Sequence, residues 1–385
     1  MKTKPLACDV LVAGAGISGV AAAISASRCQ AKTVLIEKSN FPGGIAVDCQ
    51  HRYICGLYPK NTGIAKDLIL GLQKLNSKNK FSCIGKLSVF SFQPENLELV
   101  LRKLLHQEKN LKVFYNHKVT AVEKKRDSII SLKAISRPLV SSLNFEPKTV
   151  IDATGNGSII KLSKAKYKLA ALTSRQLAGF TFQVQGLMNA SDLLAIKVPY
   201  CLSIAVKQKK LPAYFKFTNF IYDQTKNTGI IKLNLPAKNT FRPVQEAKKY
   251  AFLIHAYLRK VLPEFRNSQI QRFSSGIYER EGLRLDGEHT LTEQEVLNSR
   301  KFSDAIARGY WPIEFWHQKY GQKIKYLKTN KFYEISSGCL KSKNIMNLLA
   351  TGRCISADPQ ALASSRVMGT CIYLGEAAGK AAAAR

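Results

Sequence analysis

Gly14, Gly16 and Gly19 stand in G-x-G-x-x-G spacing at the end of an apolar run, residues 9–14. A second run, residues 33–36, closes on Glu37, about twenty residues beyond the glycines, the separation at which an acidic side chain meets a ribose hydroxyl. Each position answers a requirement of a bound nucleoside diphosphate. Gly14 permits the tight turn, Gly16 lets the backbone approach a pyrophosphate, and Gly19 lets the following helix pack on its strand. The dipole and free N–H groups at that helix's N-terminus hold the anion. The Ala-rich residues 20–27 read as the helix, so strand, turn, helix and acid follow in order. Ala15, Ser18 and Lys38 join the glycines and Glu37 as expected ligand contacts. Lys2 and Lys4 before an apolar stretch also suit a secretory signal, but Asp9 and the glycines interrupt its core.

Further along, Gly43 and Gly44 offer backbone that can come close to a ligand. Residues 149–151 read as a strand that ends in Asp152-Ala-Thr154-Gly155-Asn-Gly157, again glycines at a strand's end. Arg280, Glu281 and Arg284 follow a strand-like stretch, residues 269–278. The plain reading of these three is a surface ion pair. The chemical reading is a pair of guanidinium forks gripping a substrate carboxylate, with Glu281 holding one in place and Gly282 turning the chain so that both converge. Cys49 and Cys55 suit buried free thiols better than a redox pair.

The elements that would position these residues show in the periodicity. Residues 63–78 and 96–107 repeat apolar side chains at helical spacing. Residues 112–115, 118–124 and 128–136 read as strands of a small antiparallel layer, turning at Arg126-Asp127. Residues 180–185, 213–222 and 228–235 are strand-like, and 243–262 read as a long helix opened by Pro243. Thr292 and Glu295 form a capping box. A strand at 348–350 enters Gly352-Arg353, and a terminal helix starts near Val367 without a side-chain cap.

The chain has 385 residues, 45% of them apolar, enough for more than one domain-sized unit. It lacks the unbroken apolar stretch of about eighteen residues that a membrane span needs, so no integral membrane segment is expected. Nine cysteines without a C-x-x-C pair suit reduced thiols and a cytoplasmic location. The formal net charge of +33 is spread along the chain, as on a solvated surface. It also leaves room for an anionic partner: nucleic acid, a membrane face or an acidic substrate.

The opening fingerprint, Gly43-Gly44 and V-I-D-A-T-G-N-G at residues 150–157 resemble FAD-dependent oxidoreductases of the glutathione-reductase-like superfamily. L-T-E-Q-E-V (291–296), R-K-F-S-D-A-I-A-R-G (300–309) and the segment 347–379 are similar to the "FAD-dependent oxidoreductase" family within it. That family's R-E-x-R-R pattern falls on residues 280–284, where Leu283 breaks it. Its P-I-D-x-H pattern falls on 312–316 with His317 one place late. The resemblance implies an α/β fold, with a discontinuous Rossmann-like FAD domain (1–157 and 331–385) and an inserted, mainly antiparallel substrate domain with helix (158–330). It implies FAD contacts at Val119, Thr154, Gly155, Gly352, Arg353, Val367, Met368, Gly369 and Thr370, with the terminal helix dipole aimed at the flavin's N1 and O2 edge.

No second G-x-G-x-x-G appears between Gly157 and Gly338, so FAD is the sole nucleotide expected, and no metal site is expected. The expected activity is hydride exchange between a small, anionic organic substrate and flavin N5, with Arg280, Glu281 and Arg284 as the substrate-gripping residues. An RNA-modifying flavoprotein is the alternative the charge favours and the lack of an RNA-binding motif opposes. A non-catalytic flavin binder is the other.

Overall fold

In the computed structural model, residues 4–136, 141–224, 226–237, 244–328 and 331–385 are described. Leu6–Ala13, an apolar strand ending in the glycine turn, pairs in parallel with Thr33–Ile36 on one side and Ser142–Asp152 on the other. Leu111–Phe114 extends the sheet in parallel beyond Thr33–Ile36. The long strand Ser142–Asp152 is shared at its other edge. Its first residues pair antiparallel with Ser128–Ser136 and its last pair in parallel with Leu348–Ala350, which brings the C-terminal segment into the sheet of the N-terminal one. The result is one mixed seven-stranded sheet. The expected separate layer at 112–136 is therefore part of this sheet: Leu111–Phe114 joins its parallel half, and only His117–Lys125 and Ser128–Ser136 form a hairpin. Arg126 takes the left-handed turn between them.

Ile17–Arg28 and Met368–Ala383 lie against each other so closely that a Cβ on Gly375 would strike the Ser18 carbonyl and one on Gly379 the Ala22 carbonyl. Glycine and alanine at the contact let the two backbones meet. They bury one face of the sheet, while Ile129, Leu132, Phe145, Ile159 and Ile160 fill the other.

A second sheet has the order Asn219–Asp223, Thr228–Leu235, Ala178–Gln185, Gln269–Phe273, antiparallel throughout. Period-two alternation gives it two unlike faces. Phe180, Phe182, Phe220, Ile231 and Leu233 pack on Leu194–Lys207 and Val244–Val261. Thr181, Gln183, Lys232 and Asn234 fall on the opposite face.

Two expectations shift here, and one helix appears that carried none. Residues 213–217 are a 3-10 turn after Pro212, which swings Phe215 into the core against Tyr250, and the strand begins only at Asn219. The stretch 269–278 leaves the sheet after Phe273 and returns at Tyr278, which bridges to Gly179. Leu194–Lys207 carried no expectation, because Pro199 inside it breaks the helical signal. Pro243, expected to open the long helix, lies outside the described residues. The Thr292–Glu295 capping box forms as read. Among the described residues no helix is long and apolar enough to cross a membrane.

Candidate cofactor and substrate site

The carboxyl ends of the parallel strands meet at the first glycine turn. Gly14 has a φ of +98°, and a Cβ there would lie 2.7 Å from the Ala153 carbonyl oxygen. A Cβ on Gly19 would strike the Gly14 carbonyl. Gly16 is different: nothing lies within 4 Å of its would-be Cβ. It starts the Ile17–Arg28 helix, which no side chain caps, so backbone donors face open space where an anion fits. Gly43 bonds to the Ala15 carbonyl, and Gly44 stands over Gly16 with positive φ, closing one side of this space.

Glu37 is buried at the end of its strand, where its carboxylate accepts from Ala15 N at 2.6 Å and Ser39 N at 2.9 Å. It thus sets the glycine turn as well as facing a cavity of about 130 Å³ lined by Gly14, Glu37, Lys38, Val119, Thr154 and Asn156. Lys38 is exposed and Val119 buried at that cavity's wall.

On the far side, Asp152 organises the second glycine turn. Its carboxylate accepts from Thr154 N and Oγ1 (3.0 and 2.6 Å) and from Ile159 N and Ile160 N (2.8 and 2.9 Å). Burial raises its carboxyl above the ordinary range against those hydrogen bonds, which pull the other way. The motif containing Asp152 was noticed in the sequence, but this role was not. Gly155 has a φ of +74° and lies under the Arg353 guanidinium, whose Nη1 donates to the Glu279 carbonyl. Arg353 therefore braces this turn against the chain leading to Arg280. Gly352, with a φ of +62°, packs on Ser18, and Ser18 Oγ meets Thr351 Oγ1 at 2.7 Å, so that side chain ties two turns together.

The terminal helix Met368–Ala383 starts after Val367 with no side-chain cap. Gly56 packs on Val367 and Thr370, Gly369 packs on the Gly56 backbone, and buried Thr370 Oγ1 has no hydrogen-bond partner. An uncapped helix start beside an orphaned hydroxyl fits the polar edge of a flavin ring. Open glycine backbone, an acidic side chain and an uncapped helix with an orphaned hydroxyl are groups that fit FAD.

The expected substrate cluster divides. Arg284 and Glu281 form a buried ion pair, Nη1 to Oε2 at 3.1 Å, with 4% and 1% of the side chains exposed. Glu281 also accepts from Gln176 N at 2.7 Å. Arg280 turns elsewhere: Nη2 donates to Asn234 Oδ1 at 2.8 Å, Nη1 donates to the Leu177 carbonyl, and the guanidinium lies 4.5 Å over the Trp316 ring. The two arginines do not converge, because Glu281 draws Arg284 inward while the polar face of the second sheet takes Arg280. Burial and then Arg366 lower the Arg280 guanidinium to about 9. His317 ends its strand, with Nδ1 accepting from Lys319 N at 3.0 Å in the hairpin turn. Glu314 accepts from the Trp311 and Trp316 indoles at 3.0 and 2.9 Å.

Sequence reasoning missed the residues opposite Arg280. Gln50 Nε2 donates to Gln183 Oε1 at 2.9 Å, and Arg52 pairs with Asp223, which stretches residues 50–52 across the sheet's polar face. His51 lies between them. Arg366, just before the terminal helix, donates to Gln176 Oε1 at 3.2 Å and the Glu314 carbonyl at 3.0 Å. The available signal was alternation: Lys232 and Asn234 occupy the off-beat of a strand whose other positions are core.

The arrangement is that of a dinucleotide-binding protein with a polar wall near one end of the ligand site. The model of the FAD dependent oxidoreductase family matches residues 9–385, and the chain belongs to that family; its cofactor is FAD. Among solved structures, the chain is similar to a geranylgeranyl bacteriochlorophyll reductase-like protein from Thermoplasma acidophilum, at 13% identity over 99% of this chain and 78% of that one, with a TM-score of 0.49. It is similar to the flavin-dependent brominase Bmp2 at 12% identity, over 98% and 79% of the two chains, with a TM-score of 0.49. It is also similar to the p-nitrophenol 4-monooxygenase PnpA from Pseudomonas putida DLL-E4, at 12% identity over 74% and 70%, with a TM-score of 0.44. A comparison with curated proteins gives no match.

Proposed function

We propose that the protein exchanges a hydride between a small, anionic organic substrate and N5 of an FAD held in the manner of the glutathione-reductase-like superfamily. When bound, the flavin supplies the two-electron acceptor or donor. The chain's residues do the rest. Gly14, Ala15, Gly16, Ser18 and Gly19 with Gly43 and Gly44 shape the pyrophosphate cradle. Glu37, Lys38, Val119, Thr154 and Gly155 surround the adenosine end, and Gly352, Arg353 and Val367, Met368, Gly369 and Thr370 form the flavin end. The supporting observation is the uncapped helix start at Gly16, open on the side where a side chain would stand.

The polar face of the second sheet is the substrate wall in this reading. Arg280 contributes there directly, whereas Glu281 and Arg284 position the strand ends as a buried pair. The test has two stages. An absorbance spectrum before and after acid precipitation is expected to show flavin released into the supernatant. Anaerobic mixing with a panel of carboxylates and their neutral amides is then expected to bleach the flavin with carboxylates only. Protein purified without flavin overturns the cofactor placement, and equal bleaching by both sets overturns the substrate class.

A further inference from the structure

The polar face of the second sheet carries a cation without a counter-charge. Lys232 lies on the Thr228–Leu235 strand directly between Thr181 and Asn219 of the neighbouring strands, and its ammonium has no hydrogen-bond or ion-pair partner among the described residues. The surrounding carboxylates are already engaged. Asp223 pairs with Arg52. Asp48 accepts from Ser275 N at 2.8 Å and the Tyr278 hydroxyl at 2.7 Å. Glu314 holds the two indoles.

The remaining acidic groups facing Lys232 are the Cys49 and Cys55 thiols. Burial pushes both up to about 12, so neither supplies a negative charge at neutral pH. Arg280 and Arg52 add positive charge beside it, and burial, then Arg280, lowers the Lys232 ammonium from the ordinary lysine range.

His51 completes the cluster. Gln50 and Arg52 are tied to the strands on either side of Lys232, which lays His51 across the middle strand. Burial, reinforced by Lys232, Arg280 and Arg366, holds its imidazole well below the usual range. It is therefore neutral at physiological pH, with one ring nitrogen to accept and one to donate. Lys232 is half-buried, and a ligand seated on this face would strip water from an ammonium that has no partner, which is costly unless the ligand brings the missing charge.

We propose that Lys232 and Arg280 bind the carboxylate of the substrate on this sheet face, and that His51 hydrogen-bonds the uncharged polar group beside it. The proposal deepens the functional reading above by naming the residues that select the anion. Arg280 is fixed by Asn234 and Leu177 and still has donors to offer. Lys232 supplies the compact charge. Thr181, opposite Lys232 in the sheet, lines the same wall.

The experiment uses the purified holoprotein with acetate, pyruvate and benzoate as probes and acetamide and benzamide as their neutral counterparts. Binding is read by isothermal titration and by the rise in melting temperature, neither of which needs turnover, and FAD content is measured on every sample. At least one carboxylate is expected to bind and stabilise the protein where its amide does not. Lys232→Met is expected to weaken that carboxylate by about ten- to a hundredfold, the loss of one charged hydrogen bond. Lys232→Arg is expected to recover part of the affinity, and His51→Gln, which keeps a donor and an acceptor, to lose less than Lys232→Met. Carboxylates binding no better than amides in the wild type overturn the proposal, as does wild-type carboxylate affinity in Lys232→Met. If Lys232→Met does not fold, Lys232→Gln serves the same comparison. Wild-type protein that lacks FAD yet binds carboxylates through Lys232 counts against the flavin reading alone.

Discussion

The nucleotide cradle and the proposed substrate wall are built by opposite strategies. In the cradle, Gly14, Gly16, Gly19 and Glu37 come from one strand–turn–helix–strand unit, and Glu37 reaches back to bond Ala15. In the wall, Gln50, His51 and Arg52, Thr181 and Gln183, Lys232 and Asn234, Arg280 and Arg366 come from five separate stretches that only the tertiary fold unites. Backbone groups dominate the first region and side chains the second. A cradle made of backbone needs particular glycines at fixed spacing, so it tolerates little change. A wall made of side chains on a regular sheet is free to vary without disturbing the sheet.

The largest expected effect breaks the cradle alone. In Gly16→Val the Cβ finds open space in the protein and Gly16 already has a φ of −62°, so the fold is expected to persist with a melting temperature within a few degrees of the wild-type apoprotein. The Val side chain would fill the pyrophosphate's place, and FAD affinity is expected to fall by about a hundredfold or more, a loss of about 3 kcal/mol. Flavin fluorescence titration of the apoprotein measures this. Full flavin occupancy in the purified variant would place the pyrophosphate elsewhere. Glu37→Ala is less clean, since it also removes the bonds to Ala15 and Ser39 and so loosens the turn itself.

The second effect distinguishes two arginines that stand close in sequence. Arg284→Ala leaves Glu281 buried and uncompensated, and is expected to cost about 3–5 kcal/mol of stability, as breaking buried pairs does. Chemical denaturation of the holoprotein checks it. Arg280→Lys keeps the charge and loses the fork to Asn234 and Leu177 together with the planar contact over Trp316. It is expected to weaken carboxylate substrates by about tenfold with FAD content unchanged, read as a rise in KM. If the outcomes are reversed, with Arg284→Ala stable and poor in substrate binding, then Arg284 is the anchor.

These contrasts explain what was readable from residues alone. The glycine spacing, the uncapped terminal helix and the Thr292 capping box were visible because each depends on near neighbours in the chain, and Glu37 was visible because it closes a single strand–turn–helix–strand unit at a fixed spacing from the glycines. The α/β class followed from them. The divergence of Arg280 from Arg284 was not visible, since it depends on Asn234 and Gln176, distant in sequence, competing for the two ends of one short segment. Asp152 hid for a related reason: four of its bonds point forward into a turn whose shape the sequence leaves open, and a fifth comes from distant Cys354. Lys232 stood in plain alternation with Ile231 and Leu233, but nothing local marks a strand's polar face as a binding wall rather than a solvated surface.

The smallest expected effect separates the wall from the rest of the charge. With a formal net charge of +33, the protein surface attracts any anion at long range, and this field is screened over about 30 Å at 0.01 M salt but only about 10 Å at 0.1 M. Lys232 and Arg280 are half-buried and, in the proposed site, would act at contact distance, where mobile ions screen less than they do at long range. Raising salt over that range is therefore expected to slow association of a carboxylate substrate by a few-fold while leaving its dissociation rate nearly constant. A neutral analogue is expected to show neither change. Stopped-flow binding at several ionic strengths, followed by flavin absorbance, gives both rates. Dissociation that speeds up steeply with salt would mean that exposed lysines hold the anion, and the wall would then be a surface patch rather than a site.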